Sequence, residues 1–292
     1  MAKKGRTMKV CITGGSGGAG GAVIEDLVER GVDVVNIDRL KPQHQICPYI
    51  ETDLLDYASV RRAVQGTDMI VHFAGNPQPD FNFSDGAHRF ENNTQSCFNI
   101  FNAAAETGVK RVVWASSETV YGYPFENNVP TSVPCRESDE IRPQNAYAIS
   151  KAASEFIAAE MHKLYGLSFV GLRLSNVLYP VAGHHASYHL IPEYWQDPMS
   201  RKFNLWSYVD CRDVARATWM ALGSELGGAE VFNIAARDTL MRIDNHQLLE
   251  MAFDEPVAQD FRFPRASFLD ISKAERLLGF VPEYGWSDVI DP

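Results

Sequence analysis

The chain has 292 residues, of which 45% are hydrophobic and 22% are charged, as expected for a globular protein with a large buried core. Its formal net charge of −10 disfavours anionic partners, so neither nucleic acid nor a membrane surface is an expected partner. The five cysteines contain no closely spaced pair, and no apolar run reaches the length of a membrane span. These features predict a cytoplasmic protein with reduced thiols.

Short apolar strands alternate with longer helices along the chain. In chain order, the spacing of apolar residues predicts strand Lys9–Thr13, helix Ala22–Arg30, strand Asp33–Ile37, helix Ser59–Gln65, strand Met69–Phe73, helix Asn93–Thr107, strand Arg111–Ala115, helix Ala146–Tyr165, strand Phe169–Leu174, helix Val209–Leu222, strand Val231–Ile234, and short helices at Asn245–Phe253 and Ser272–Leu278. Alternation of helices with strands that are apolar on both faces predicts an α/β fold, a Rossmann-type doubly wound parallel sheet.

The second half of the chain is less regular and suggests a second lobe. We expect residues 8–178 to form the Rossmann domain, with residues 206–236 returning to it. Residues 179–205, which are rich in His, Pro and aromatic side chains, and residues 237–292 are expected to form a smaller C-terminal substrate-binding lobe. Open α/β sheets bind ligands beyond the carboxyl ends of their strands, where such a lobe would lie.

A glycine-rich loop separates the first predicted strand from the first predicted helix. Its glycines are Gly14, Gly17, Gly18 and Gly20. Bare backbone lets a diphosphate approach, and the helix that follows offers N–H groups and a positive dipole end. Asp38 ends the second strand, where a carboxylate accepts hydrogen bonds from a ribose diol and repels a 2′-phosphate. The adjacent Arg39 could hold that phosphate, so the sequence favours NAD and leaves NADP open.

The TGxxGxxG spacing of Gly14, Gly17 and Gly20 resembles that of the extended short-chain dehydrogenases/reductases, which include NAD-dependent epimerases and dehydratases. The resemblance runs from about Lys9 to Phe280. It implies NAD as the cofactor. It also implies five further cofactor contacts, from Asp53, Leu54, Ala74, Gly75 and Asn93. Of these residues, Asn93 is expected at the head of a helix.

A second motif carries the chemistry. Tyr147 and Lys151 form a YxxxK unit on one face of a predicted helix. A phenol is a poor base at neutral pH unless nearby cations stabilise the phenolate, and a lysine ammonium can do so. Residues 116–122, SSETVYG, resemble the family signature SSxxVYG. The resemblance implies that Ser117 orients the substrate oxygen, Tyr147 moves the proton, and Lys151 also holds the nicotinamide ribose.

Glu118 is a further catalytic candidate. In family dehydratases, the two positions after the catalytic hydroxyl hold an Asp–Glu pair, and here they hold Glu118 and Thr119. The missing second carboxylate argues against dehydration. Glu118 is either a proton donor or a solvated acid in a turn.

The substrate side is less defined. Asn176, in the segment RLSNV, resembles a family asparagine that faces the substrate, and Arg201 offers a fork of donors for a phosphate or carboxylate. Trp206 is either a stacking platform for a sugar or a core residue. A histidine cluster could bind a metal or line the substrate mouth, and the second role is favoured, so no metal is expected: His184, His185 and His189.

These motifs predict hydride transfer between NAD and a sugar carbinol carbon. The motif content favours a nucleotide-sugar epimerase. The spacing of Arg201, Trp206 and Asp210 also resembles uronate dehydrogenases, so an NAD-dependent dehydrogenase of a free sugar or sugar acid stays open. A non-catalytic NAD-binding protein is the least favoured alternative. The family resemblance further implies a homodimer formed by the helices predicted at Asn93–Thr107 and Ala146–Tyr165.

Overall fold

The fold is taken from a computed structural model, which describes residues 8–78, 82–122, 125, 128–181 and 184–290. The strands are β1 Lys9–Thr13, β2 Asp33–Asp38, β3 Tyr49–Glu51, β4 Met69–His72, β5 Arg111–Ser117, β6 Ser132–Val133, β7 Ser168–Leu174, β8 Val177–Leu178, β9 Val209–Asp210, β10 Ala229–Ile234 and β11 Ala258–Gln259. The helices are α1 Gly18–Glu29, α2 Tyr57–Ala63, α3 Phe83–Thr107, α4 Ala146–Tyr165, α5 Ile191–Gln196, α6 Cys211–Gly223, α7 Asn245–Ala252 and α8 Ser272–Leu278.

Seven of these strands form one parallel sheet. Their order is β10-β7-β5-β4-β1-β2-β3, so the chain winds outward from β1 in both directions. Helices cover both faces, which confirms the predicted Rossmann-type fold. The register places Ser117, at the end of β5, beside Leu174, at the end of β7. The carboxyl ends of the central strands therefore converge on one edge, where ligands of this fold bind.

Alternation along each strand divides the core into two layers. In β1, Val10 and Ile12 belong to a buried layer that also contains side chains of α1, α6 and α8. Cys11, between them, belongs to the opposite layer, with side chains of α2, α3 and α4. Successive strand residues point to opposite faces, so strands that are covered on both sides must be apolar throughout.

A third buried cluster lies outside the sheet. Its side chains come from residues 178–208, 235–257 and 268–286, and also from residues 120–135, where β6 pairs with β11. Ala274, in α8, packs instead on the sheet layer of α1 and α6. The predicted lobe boundaries stay a prediction. Residues 120–135, which were predicted as part of the Rossmann domain, also contribute side chains to this third cluster.

Four helix starts differ from the predictions, the smallest shift being that of α2, which begins at Tyr57 instead of Ser59. Helix α1 begins at Gly18 instead of Ala22. The prediction missed its first turn because that turn is rich in glycine, which has a low helix propensity. Helix α3 begins at Phe83, so Asn93 lies inside the helix and not at its head. The first turns of α3 are polar and lack an apolar period, and Asn82 caps them by accepting a hydrogen bond from the Asp85 N–H at 2.9 Å.

The fourth difference lies at the start of α6. Val209 and Asp210 were predicted as helical but form β9, which pairs with β8. Asp210 is the N-cap, and its carboxylate accepts a hydrogen bond from the Arg212 N–H at 2.7 Å. The irregular stretch also contains α5, and the short strands β3, β6, β8 and β11 were not predicted. Within the described residues, no helix combines the length and apolar character needed to cross a membrane.

Candidate active site

The glycine loop brings bare backbone against the start of α1. Gly14 has a φ of +74°, which glycine adopts readily. A Cβ on Gly20 would lie 2.2 Å from the Gly14 carbonyl oxygen, so only glycine fits where the helix crosses the loop. The N-cap of α1 is Gly17, which provides no side-chain cap, whereas Asn145 caps α4 through the Ala148 N–H. The first turn of α1 is therefore built to receive an external anion.

Asp38 lies beside this loop at the end of β2. One carboxylate oxygen accepts a hydrogen bond from the Ser16 N–H at 3.1 Å, and the other accepts from the Leu40 N–H at 3.0 Å. The side chain is half-buried, while Arg39 is exposed. The Asp38 carboxylate is thus held in place next to the loop, as ribose recognition requires.

The remaining predicted cofactor residues line the adjoining strand ends. The Ala74 N–H donates to the Thr13 hydroxyl at 3.2 Å, close to Gly14. The Asn93 side-chain amide makes two hydrogen bonds to the loop after β4. Its oxygen accepts from the Asn76 N–H at 2.8 Å, and its nitrogen donates to the Asn76 carbonyl at 3.1 Å. This clamp shapes the loop that contains Gly75.

Asp53 and Leu54 follow β3. The Asp53 carboxylate is exposed and accepts a hydrogen bond from the Leu55 N–H at 3.0 Å. Leu54 is buried, and its carbonyl accepts a hydrogen bond from the Asn99 amide at 2.8 Å. The turn is therefore anchored to α3 and offers its polar side outward.

The catalytic candidates come from two neighbouring elements. Ser117 ends β5, and Tyr147 and Lys151 occupy successive turns of α4. The Lys151 ammonium donates to the Ala115 carbonyl at 2.7 Å and lies 5.5 Å from the centre of the Tyr147 ring. The Ser117 hydroxyl accepts a hydrogen bond from the Thr119 N–H at 3.2 Å. Ser117 and Tyr147 are both buried, so their hydroxyls work in a low-dielectric environment.

The charge of Lys151 also acts on a second titratable side chain, His72. His72 is buried, and burial together with the Lys151 charge lowers the pKa of its imidazole to about 3. The imidazole is therefore neutral and shares a 2.7 Å hydrogen bond with the Thr13 hydroxyl. A neutral His72 does not compete with Lys151 for anionic groups at the site.

Glu118 is buried, not solvated, which removes one of its two predicted roles. It is 5% exposed, and the Ser175 hydroxyl donates a hydrogen bond to it at 2.5 Å. Burial raises the pKa of this carboxyl to about 8, although Ser175 and the charge of Arg201 partly offset the effect. Glu118 is thus protonated at neutral pH and can donate a proton. Asn176, whose side chain is half-buried, provides a further backbone hydrogen bond to it.

Arg201 has two hydrogen-bond donors without a partner among the described residues. Its Nε and Nη2 atoms are buried and have no hydrogen-bond partner in the part of the chain that the structure describes. Its guanidinium carbon lies 4.9 Å from the centre of the Tyr194 ring and 4.7 Å from that of Phe203. A buried donor without a partner is costly, so this side chain is arranged for a ligand.

Trp206 corrects the expectation of a sugar-stacking platform. Its ring is fully buried and packs on Phe268, with ring centres 5.3 Å apart, so no face is left for a sugar. Leu205 and Trp206 have φ values of +49° and +54°, which side chains rarely adopt and which cost about 1–3 kcal/mol each. The Trp206 N–H donates to the Arg201 carbonyl at 3.2 Å, so this turn supports Arg201.

The histidines stack instead of clustering around a common centre. The His184 ring lies 4.1 Å from the Tyr179 ring, and the His185 ring lies 4.4 Å from that of His184. His189 is exposed. Among the described residues, no three His, Cys, Asp or Glu side chains are placed to share a metal ion.

Comparison with known proteins decides the family. A profile of the NAD dependent epimerase/dehydratase family matches residues 10–235. The chain belongs to this family. A UDP-glucose 4-epimerase from Streptococcus mutans is 26% identical, with 95% of this chain and 92% of that protein covered. The fold resembles a solved UDP-glucose 4-epimerase from Thermotoga maritima, bound to UDP-glucose, with a TM-score of 0.73, 22% identity, and 97% and 96% of the two chains covered. It also resembles a mutated uronate dehydrogenase, with a TM-score of 0.68, 20% identity, and 97% and 84% covered.

This family member is an NAD-dependent enzyme of the extended short-chain dehydrogenase/reductase type, so the alternative of a non-catalytic NAD-binding protein is wrong. The uncapped first turn of α1 and the Asp38 carboxylate fit the diphosphate and the ribose of NAD. The sequence reasoning missed three functional contacts. Ser175 lies within the RLSNV segment but showed no sign of its bond to Glu118, and the aromatic rings around Arg201 come from parts of the chain without periodicity.

Proposed function

We propose that this enzyme oxidises a carbinol carbon of an anionic sugar and acts as a nucleotide-sugar epimerase. The observation that carries the proposal is Arg201, whose guanidinium has two buried nitrogens without a partner among the described residues and is close enough to Glu118 for its charge to lower the pKa of that carboxyl. A site arranged in this way favours a substrate with a fixed negative charge. UDP-glucose 4-epimerases among the relatives support a nucleoside diphosphate as that charge.

The chain's own residues account for the proton chemistry. Tyr147 removes the proton of the sugar hydroxyl, and Ser117 donates a hydrogen bond to the same oxygen and fixes its position. The Lys151 ammonium stabilises negative charge on Tyr147 and holds the nicotinamide ribose. NAD, when bound, supplies the hydride acceptor. Burial of Ser117 and Tyr147 excludes water from the reacting oxygen.

A second candidate is an NAD-dependent dehydrogenase of a free sugar acid. The specific observation is that Nε and Nη2, the two unpaired atoms of Arg201, form one edge of the guanidinium. That edge matches the two oxygens of a single carboxylate in a bidentate contact. A diphosphate carries more negative charge than one guanidinium balances. The two candidates therefore differ in the anion that Arg201 receives.

The test measures competition and product in the same preparation. The enzyme is incubated with UDP-glucose, and separately with glucuronate and galacturonate, while NADH absorbance and inversion at C4 are followed. Inversion of the UDP-sugar without net NADH, with UDP as a competitor, supports the epimerase. Net NADH from a sugar acid, with only sugar acids competing, supports the dehydrogenase. Absence of both reactions, with no competition by either anion, would overturn the proposal.

Arg201→Ala provides the matched variant. A charge-assisted contact is worth about 1.5–3 kcal/mol, so the KM for the anionic substrate is expected to rise roughly ten- to hundredfold. NAD affinity should stay unchanged. Lys202→Ala is the control, because its ammonium lies over the Phe253 ring, 4.8 Å from the ring centre. Equal effects of the two variants would show that Arg201 does not bind the anion.

A further inference from the structure

Tyr179 lies directly against the first turn of α1. It follows β8, and a Cβ built on Gly18 would lie 2.4 Å from the Tyr179 hydroxyl oxygen and 2.7 Å from the adjacent ring carbon. No side chain at position 18 could be accommodated at these distances without moving Tyr179. Gly18 and Tyr179 therefore form a matched pair: the glycine provides the space that the phenol occupies.

The backbone and a neighbouring ring hold Tyr179 in this place. Its N–H donates to the Ala186 carbonyl at 2.9 Å, and its carbonyl accepts from the Tyr188 N–H at 3.2 Å. The His184 ring covers it from one side, with ring centres 4.1 Å apart. These contacts fix the direction of the side chain toward Gly18.

The hydroxyl at the end of this fixed ring is unused. It makes no hydrogen bond to any residue within the described ranges, although the ring is largely buried. Burial, with a smaller effect of Cys211, raises the pKa of the Tyr179 phenol, so the hydroxyl keeps its proton and is a donor at all physiological pH values. A donor placed at the uncapped end of α1 faces the position where this fold binds a diphosphate.

We propose that Tyr179 is a cofactor-binding residue whose hydroxyl donates a hydrogen bond to the diphosphate of NAD at the first turn of α1. The inference depends on the cofactor and not on the identity of the substrate, so it goes beyond the proposed function. Backbone N–H groups of the glycine loop bind the diphosphate from one side. Tyr179, which comes from the chain just after β8, binds it from the other and so links the irregular stretch to the cofactor.

Binding measurements on Tyr179→Phe test this contact without any turnover. A lost hydrogen bond to a charged group weakens binding by about tenfold or more, and this loss is expected for both NADH and ADP-ribose, since both carry the diphosphate. Isothermal titration gives both dissociation constants. Tyr165→Phe is the control, because Tyr165 is 58% exposed at the end of α4. Its affinities should equal those of the native enzyme.

Two results would overturn the assignment. Unchanged affinity of Tyr179→Phe for both ligands means that the hydroxyl makes no cofactor contact. A loss for NADH with none for ADP-ribose places the contact on the nicotinamide side and not on the diphosphate. Thermal unfolding of each variant shows that a loss of binding is not a loss of folding.

The matched pair gives an independent readout. Gly18→Ala should weaken NADH binding strongly in the native background, because the new methyl displaces Tyr179. In a Tyr179→Ala background the space is open, and the same substitution should cost much less. Equal losses in the two backgrounds would show that the residues are not coupled, and the proposed geometry would be wrong.

Discussion

A main-chain contact fixes Lys151, which we propose stabilises negative charge on Tyr147. The Lys151 ammonium, in α4, donates a hydrogen bond to the Ala115 carbonyl, two residues before Ser117 in β5. This contact fixes the position of Lys151 relative to Ser117. Tyr147 lies one helical turn before Lys151. Removal of the Tyr147 hydroxyl alone should therefore affect the chemistry and leave the positions of Lys151 and Ser117 unchanged.

Tyr147→Phe is expected to lower kcat by about 10²–10⁴, the usual contribution of a positioned acid or base. NAD affinity should stay within about tenfold, since Lys151 keeps its contacts. Steady-state kinetics on the true substrate and titration with NADH give the two quantities. Turnover close to that of the native enzyme would show that another group moves the proton.

Glu118 makes stability depend on pH in an unusual direction. The carboxyl has a pKa of about 8 in the folded protein and about 4.5 when unfolded, so the folded state holds the proton longer. Stability then falls as pH rises from 4.5 to 8 and changes little above that. Glu118→Gln removes the ionisation, and its stability gain at pH 8 should reach at most about 4–5 kcal/mol. The gain should vanish near pH 4.5.

Thermal unfolding at pH 5 and pH 8 checks this sign, with Glu160→Gln as a control on the exposed side of α4. Kinetics provide a second check. Above pH 8, an ionised Glu118 opposes the positive charge of Arg201, so the KM for an anionic substrate should rise in the native enzyme and not in Glu118→Gln. An identical pH dependence in both proteins would mean that Glu118 ionises normally.

At the scale of elements, a buried ion pair joins three elements of the candidate active site. Arg173, in β7, binds Glu155, in α4, at 2.8 Å, and the two side chains are 4% and 11% exposed. The Ser116 hydroxyl, in β5, donates to the same carboxylate at 2.6 Å. The pair thus sets the position of the β5 end relative to the turn of α4 that carries Lys151.

Glu155→Gln is expected to destabilise the protein by about 3–5 kcal/mol, because it leaves the Arg173 charge buried without a counter-ion. Glu160→Gln, which breaks the exposed pair with Lys163, should cost less than about 1 kcal/mol. Denaturant unfolding measures both. Similar small losses in the two variants would show that water or another acceptor compensates Arg173.

Local patterns predicted the elements with strong apolar periods. Helix α4 has the predicted bounds, and β1 does as well. The glycine loop and YxxxK unit were also predictable, because each motif is contained within one element or turn. The start of α3 was not, since its first turns are polar and exposed and are specified by the Asn82 cap instead of by apolar spacing.

Contacts between distant residues were beyond the reach of sequence patterns. Ser175 and Glu118 meet because β5 and β7 are neighbours in the sheet, which single-chain spacing does not encode. The guanidinium of Arg201 lies against a ring of α5 and a ring of its own 3-10 turn, Tyr194 and Phe203, and Trp206 is buried in a left-handed backbone conformation. Residue types predicted Arg201 as an anion ligand, whereas only packing shows that two of its nitrogens have no partner among the described residues.

At the scale of the whole molecule, α3 and α4 carry an unusual surface. They pack side by side on one face of the sheet, and their outer sides expose large apolar residues: Phe90, Phe98, Ile149 and Phe156. Phe101, also in α3, is fully buried against the sheet. Phe98 and Phe156, 43% and 67% exposed, remain available. Exposed apolar surface of this kind is typical of an interface.

The homodimer predicted from the family resemblance would cover this surface, with α3 and α4 of two chains forming a four-helix bundle. A C2 interface uses each exposed residue twice, so one substitution places two charges in the bundle. Phe156→Glu should therefore give a monomer at micromolar concentration, measured by light scattering coupled to size exclusion. Leu277→Glu is the matched control, because Leu277 is 42% exposed on α8, which covers the opposite face of the sheet. The native protein and the Leu277 variant should both have the mass of a dimer. A monomeric native protein would contradict the prediction, and the exposed phenylalanines of α3 and α4 would then need another partner.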